Sequence, residues 1–395
     1  MTSDSPGKEI RSAGDGTPRL AGLKAINLLT RSLALNSIHT SLRTLALCTL
    51  ALPASGCLVG SLSLGDDDGA DTGSESGDSS DLRWSTVRPD ITGIDVAVAP
   101  DGSFYVFGRA GFSPQGDGGI YDDRWLGRFD ANGVLLWEIR DPQPLEDYVS
   151  PVAISLDAAG DLYLADLDFG ATNGDNRLTK LDPAGNELWS VAVPGRIDDV
   201  VALPEGGAIV AGSQDGSAWA QSLDVDGNPG WTRTFDGVPG TYSEITRAAV
   251  TGDGGVVLGG RLGMEVDSSR SRAWVATLEQ VDGTDRWQTP LSDGVITDRV
   301  VGVGVAADGT TLVAGWSDTA WVKGLDPSGA VQWTWINDVA DGTESLAVFP
   351  DGGFAVGDGL LVDPEQAEHC LSGLGPCPTT MRVARMLPDR TPAWS

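Results

Sequence analysis

The sequence predicts an all-β fold, a single β-propeller of about six four-stranded blades, preceded by a signal peptide and a disordered tether. Three observations carry that expectation. One strand–turn–strand pattern recurs six times beyond residue 82. Gly is abundant, with 53 among 395 residues, and Trp, with 13, returns at a fixed place in each repeat. Gly-rich turns between short aromatic-bearing runs point to antiparallel strands rather than helices.

The chain divides into a signal region (1–56), a cysteine with an acidic linker (57–81) and the repeat domain (82–395). Within the first, the apolar run Leu45-Ala46-Leu47-Cys48-Thr49-Leu50-Ala51-Leu52-Pro53 follows Arg43. Crossing a bilayer takes roughly 20 apolar residues, so this run is too short to span one. A basic residue, an apolar run and then small residues is the order of a secretory signal. The long stretch ahead of it places the true start downstream of Met1. Ala54-Ser55-Gly56-Cys57 resembles the lipobox of bacterial lipoproteins, departing from it at Ala54, where Leu is usual. That resemblance implies lipidation of Cys57. With Leu58 next rather than Asp, it also implies the outer membrane as destination. An ordinary signal peptide cut near Ala54, or an apolar core segment, is the alternative.

Residues 65–81 contain no large apolar side chain. Such a stretch cannot bury enough surface to offset its ordering entropy, and is expected to be disordered. As a flexible tether its ends would lie about 23 Å apart.

The formal net charge is −30; residues 1–56 carry six basic and three acidic groups, which leaves −33 from Cys57 onward. That surface repels phosphate backbones and anionic lipid, which argues against nucleic-acid binding and leaves the lipid anchor as the membrane attachment.

Each repeat opens with an apolar strand, an Asp-Gly or Gly-Gly turn and a second apolar strand. The first copy reads Val96-Ala97-Val98-Ala99-Pro100-Asp101-Gly102-Ser103-Phe104-Tyr105-Val106-Phe107-Gly108. That turn recurs at Gly160, Gly206-Gly207, Gly254-Gly255, Gly309 and Gly352-Gly353, at intervals of 43 to 58 residues. Asp-Gly between apolar runs signals a tight hairpin with both central residues at positive φ. A variable loop then leads to a third strand ending in an apolar–Asp pair, as at Phe129-Asp130, and a second Gly turn follows at Gly133, Gly185, Gly227, Gly283 and Gly329. In the sixth copy Asp389 stands near a degenerate version. The fourth strand carries the closing Trp: Trp137, Trp189, Trp231, Trp287, Trp333 and Trp394. A side chain repeated once per blade reads as packing. The third-strand aromatics Trp125, Trp219, Trp274 and Trp321 read the same way, with Arg177 and Arg382 in their place in copies two and six. Trp84 suggests an additional N-terminal strand that completes the last blade. Seven blades is the alternative count.

Leu181-Asp182-Pro183-Ala184-Gly185-Asn186-Glu187-Leu188-Trp189 and Leu325-Asp326-Pro327-Ser328-Gly329-Ala330-Val331-Gln332-Trp333 resemble the repeats of quinoprotein-like (PQQ-like) and SBBP-type bacterial propellers. The resemblance covers residues 82–395 and is specific for fold; propellers host many activities. Lipoprotein members of that group can act as scaffolds in outer-membrane protein assembly, usually with more blades. Quinoprotein dehydrogenases need dedicated quinone and calcium ligands, and no group of residues here matches them.

His369 is the sole histidine after Cys57, which argues against multi-histidine metal sites and a histidine-dependent triad. No G-x-S-x-G, H-E-x-x-H or P-loop pattern occurs. Asp166 and Asp168, with Asp175 in the following loop, offer clustered oxygens of the kind calcium takes. Asp224-Val225-Asp226-Gly227-Asn228 is a shorter version that turn chemistry explains by itself. Cys370 and Cys377 lie close together in an exported chain, and are most simply a disulfide stapling a loop. No cofactor is expected beyond that calcium.

The function these features favour is non-enzymatic. The expectation is an extracytoplasmic, lipid-anchored monomer whose propeller binds or scaffolds an outer-membrane or extracellular protein or glycan. The alternatives are an enzyme acting on glycans through loop carboxylates and a quinoprotein-like oxidoreductase.

Overall fold

A computed structural model describes residues 60–63, 84–87, 91–111, 123–141, 149–168, 176–235, 241–265, 271–292, 298–317, 319–337, 343–349, 352–361, 379–390 and 392–394. All described secondary structure is β, in six four-stranded sheets and one short parallel pair. The pair joins β1 (Gly60–Ser63) to β2 (Trp84–Val87). Blade 1 is β3 (Ile91–Val98), β4 (Phe104–Ala110), β5 (Asp123–Phe129) and β6 (Leu135–Asp141). Blade 2 is β7 (Val149–Leu156), β8 (Leu162–Asp168), β9 (Asn176–Leu181) and β10 (Glu187–Val193). Blade 3 is β11 (Arg196–Ala202), β12 (Ala208–Gln214), β13 (Ser217–Leu223) and β14 (Pro229–Phe235). Blade 4 is β15 (Thr241–Val250), β16 (Gly255–Glu265), β17 (Arg272–Glu279) and β18 (Asp285–Pro290). Blade 5 is β19 (Arg299–Val305), β20 (Thr311–Trp316), β21 (Ala320–Leu325) and β22 (Val331–Asn337). Blade 6 is β23 (Thr343–Val348), β24 (Phe354–Leu361), β25 (Thr379–Met386) and β26 (Pro392–Trp394).

Every blade is an antiparallel meander, and the first strand of each runs beside the first strand of the next from β3 to β23. Six blades are therefore present. The additional closing strand expected at Trp84 is arranged differently: β2 pairs with β1, and the fourth strand of blade 6 is β26, which carries Trp394.

Burial follows strand position. The middle strands β4 and β12 are buried almost throughout, because blades stack on both faces, whereas the outer strand β6 alternates half-buried and exposed. Clusters form between successive blades. Tyr163, Leu178 and Trp219 join blades 2 and 3, and Ile245, Val256 and Trp274 join Ala218 and Phe235 between blades 3 and 4. The closing Trp of one blade lies on the second-turn glycine of the next. A side-chain carbon added at Gly227 would meet the Trp189 ring at 3.0 Å, and one added at Gly283 the Trp231 ring at 2.7 Å. In blade 6 Arg390, at φ 66°, stands where the other blades have this glycine, and its guanidinium lies 5.4 Å from the Trp333 ring.

The turns differ from the two-residue hairpin expected. Asp182 donates its N–H to the Asn186 carbonyl and accepts from the Gly185 N–H, both at 2.9 Å, with Gly185 alone at positive φ. This is a three-residue loop ending in a left-handed glycine. The Asp182 carboxylate accepts from the Ala184 and Asn186 amides, each at 2.9 Å, so the recurring apolar–Asp pair caps its own turn. Hydrogen bonds from the Asn186 side chain and these amides hold its carboxyl below the usual range. Asp215 and Gly216 form the mirror-type pair, both at positive φ, and close β12 onto β13.

Candidate functional site

The innermost strands share a one-residue bulge, at Ile94, Val152, Asp198, Thr246 and Val301 in blades 1 to 5 and at Glu344 in blade 6. Two positions before it stand Thr92, Ser150, Arg196, Glu244 and Arg299, at the same height in successive blades. The second strand must approach closely here. Gly108, Gly212, Gly260 and Gly315 lie where a Cβ would strike the carbonyl oxygen of Thr92, Arg196, Glu244 and Arg299. The result is a polar belt at the end where the first strands begin.

Its densest part spans blades 3 and 4. Arg196 Nε donates to Asp198 Oδ1 at 2.9 Å, Arg261 pairs with Glu244 at 2.8 Å, and Ser213 Oγ lies 2.7 Å from the Tyr242 hydroxyl. Asp198 Oδ2 is buried and has no hydrogen-bond partner among the described residues. Burial pushes the Asp198 carboxyl up to about 7; Arg196 opposes that rise and Glu244 adds to it. Burial likewise pushes the Tyr242 hydroxyl up to about 12. Arg247, on the same inner strand as Glu244, donates to the Thr246 carbonyl at 2.6 Å. Guanidinium groups on two strands thus flank a half-buried carboxylate whose one buried oxygen is an unused acceptor, an arrangement suited to a ligand that donates a hydrogen bond.

The residues nominated from sequence are placed as follows. Asp166 lies on β8, fully buried, with Arg124 Nε donating to Oδ1 at 3.1 Å and a second Arg124 nitrogen 3.1 Å from Oδ2. Asp168 ends the same strand, and Asp175 lies outside the described residues. Cys57, Cys370 and Cys377 also lie outside them. Asp224 accepts from the Asp226 and Asn228 amides at 3.0 and 2.8 Å, as a turn cap does. Among the described residues no group of three His, Cys, Asp or Glu is arranged to hold a metal.

Strand register also explains the arginines that replace third-strand tryptophans. Trp125, Trp219, Trp274 and Trp321 stand opposite Gly108, Gly212, Gly260 and Gly315. Arg177 stands opposite Asp166 and Arg382 opposite Asp358. In the strand register, blades 2 and 6 therefore set Asp opposite Arg where four blades set Gly opposite Trp.

The fold defines the chain as a six-bladed β-propeller. Solved structures of similar fold include a Bacteroides caccae protein of unknown function, at 15% identity and TM-score 0.44, over 68% of this chain and 88% of that one. The Dos1 propeller matches at 12% and 0.45, over 66% of each chain. A europium-containing methanol dehydrogenase matches at 14% and 0.43, over 72% and 68%. The likeness is one of fold. No protein-family model and no curated protein sequence matches the chain.

Proposed function

We propose that this propeller is an extracytoplasmic binding or scaffold module of the outer membrane, lipid-anchored at Cys57, whose belt end receives a protein or glycan ligand. The observation that carries the reading is the buried, unused acceptor of Asp198 amid Arg196, Glu244 and Arg247. Leaving a buried polar atom unsatisfied costs about 1–3 kcal/mol. Strongly perturbed carboxyls of this kind concentrate at functional sites. The anchor rests on the lipobox-like Ala54-Ser55-Gly56-Cys57, and the acidic stretch 65–81 would carry the ring away from the bilayer.

Fractionation of cells expressing the full chain tests the anchor. The parent chain is expected in the outer-membrane fraction and Cys57→Ser in the soluble extracytoplasmic fraction. Equal membrane association of the two would overturn it.

A further inference from the structure

Among the described residues the outermost strand of each blade pairs with one strand only and ends its sheet. Natural sheets guard such edges with charge, proline or shortness. Five blades here do so. β6 carries Glu138, Arg140 and Asp141, and β10 opens on Glu187. β14 carries Pro229 and Arg233, and β18 carries Asp285, Arg286 and Pro290. β26 is three residues long and begins with Pro392. β22, Val331-Gln332-Trp333-Thr334-Trp335-Ile336-Asn337, has no charge and no proline. Among the described residues it ends its sheet, with β21 its one strand partner.

The strand is also well held. Trp333 and Trp335 pack against Phe354 of blade 6, with ring centroids 6.0 and 5.9 Å away. The alternate residues Gln332, Thr334 and Ile336 are exposed, Ile336 at 57%. A rigid, β-prone strand with an open edge is a ready template for another strand.

We propose that the free edge of β22 is a docking surface for an extended basic segment of a partner protein, added as a fifth strand of blade 5. That free edge takes an extended backbone. Thr334 and Ile336 take β-branched or aliphatic cross-strand neighbours. Charge selects the partner: a second copy of this chain would bring another −30, whereas a segment alternating apolar residues with Lys or Arg meets a complementary field. β22 and β19, which carries Arg299 of the belt, are opposite edges of one sheet. The docking surface is therefore independent of whatever the belt binds.

The test uses the full chain and a peptide of alternating valine and lysine as long as β22. Saturable binding is expected, with added hydrogen-exchange protection on β22. Thr334→Lys places a cation on the edge and is expected to weaken binding at least about tenfold. Ser190→Lys makes the same charge change at the matching position of β10 and is expected to leave binding unchanged. The same peptide N-methylated at alternate amides keeps its charge but cannot complete the ladder, and is expected not to bind the parent chain. Equal weakening by both lysine variants, or equal binding of the N-methylated peptide, would reduce the interaction to bulk charge and overturn the proposal. Absence of saturable binding would overturn it too, as would self-association of the full chain that Thr334→Lys abolishes.

Discussion

Asp198 occupies a bulge position at which the other blades place Ile94, Val152, Thr246, Val301 and Glu344. Its neighbours set a stability dependence opposite to that of the turn aspartates. An exposed aspartate ionises near about 3.9. Asp198 in the folded chain does so near about 7, because burial and Glu244 outweigh Arg196 and Arg247. The folded state thus holds this proton more tightly than the unfolded chain. The associated stability is complete below the ordinary carboxylate range and is lost as pH rises through about 7. Asp198→Asn should therefore gain stability relative to the parent chain between about pH 5 and 8, as read by urea denaturation. A difference that stays constant across that window would overturn the assignment. The belt itself was poorly legible in the sequence. Strand periodicity tells which residues share a face, but a one-residue bulge resets the count, and nothing local announces the bulge. Comparing the repeats position by position is the available signal, since it sets acidic residues in blades 3 and 6 against aliphatic or hydroxyl side chains in the other four.

Turns and closing tryptophans act together. Trp137, Trp189, Trp231 and Trp287 are each made on one blade and seated on a glycine of the next, which must combine a left-handed backbone with the absence of a side chain. Gly283, at φ 69°, has both requirements, with Trp231 at 2.7 Å from the place a Cβ would take. Gly283→Ala should cost about 1–3 kcal/mol in urea denaturation. Gly252→Ala, where a Cβ would meet nothing within 4 Å, should stay within about 0.5 kcal/mol. Equal effects would mean that the Trp231 seat carries no energy. Glycines, aspartates and tryptophans were legible as a repeating punctuation, because each answers a local backbone or packing demand. Their partners were not: Trp189 finds Gly227 only once two blades are stacked, and Arg177 finds Asp166 only once a register is chosen. The hairpin type was misread for a related reason. Asp-Gly suits the two-residue turn, but an aspartate three residues before the glycine caps a longer loop and leaves only the glycine left-handed.

Over the whole molecule, a chain of formal charge −30 holds many ionised aspartates on its tight turns, and their mutual repulsion opposes compactness. Raising ionic strength from about 0.01 to 0.15 M shortens the screening length from about 30 to 8 Å and should raise the thermal midpoint. A fall in the midpoint would show instead that the ion pairs of the belt and turns outweigh the long-range field. The blade count was legible because one sentence written six times averages out its own irregularities. The closure was not, since Trp84 and Trp394 compete for the same place on paper and only pairing separates them. The alternation of Gly–Trp with Asp–Arg also bears on ancestry. Each pair is split between the second and third strands of a blade. A crossover falling between those strands would set a glycine opposite an arginine, or an aspartate opposite a tryptophan. Lineages that shuffle, duplicate or delete blades in this protein should therefore break outside the middle hairpin and inherit it whole.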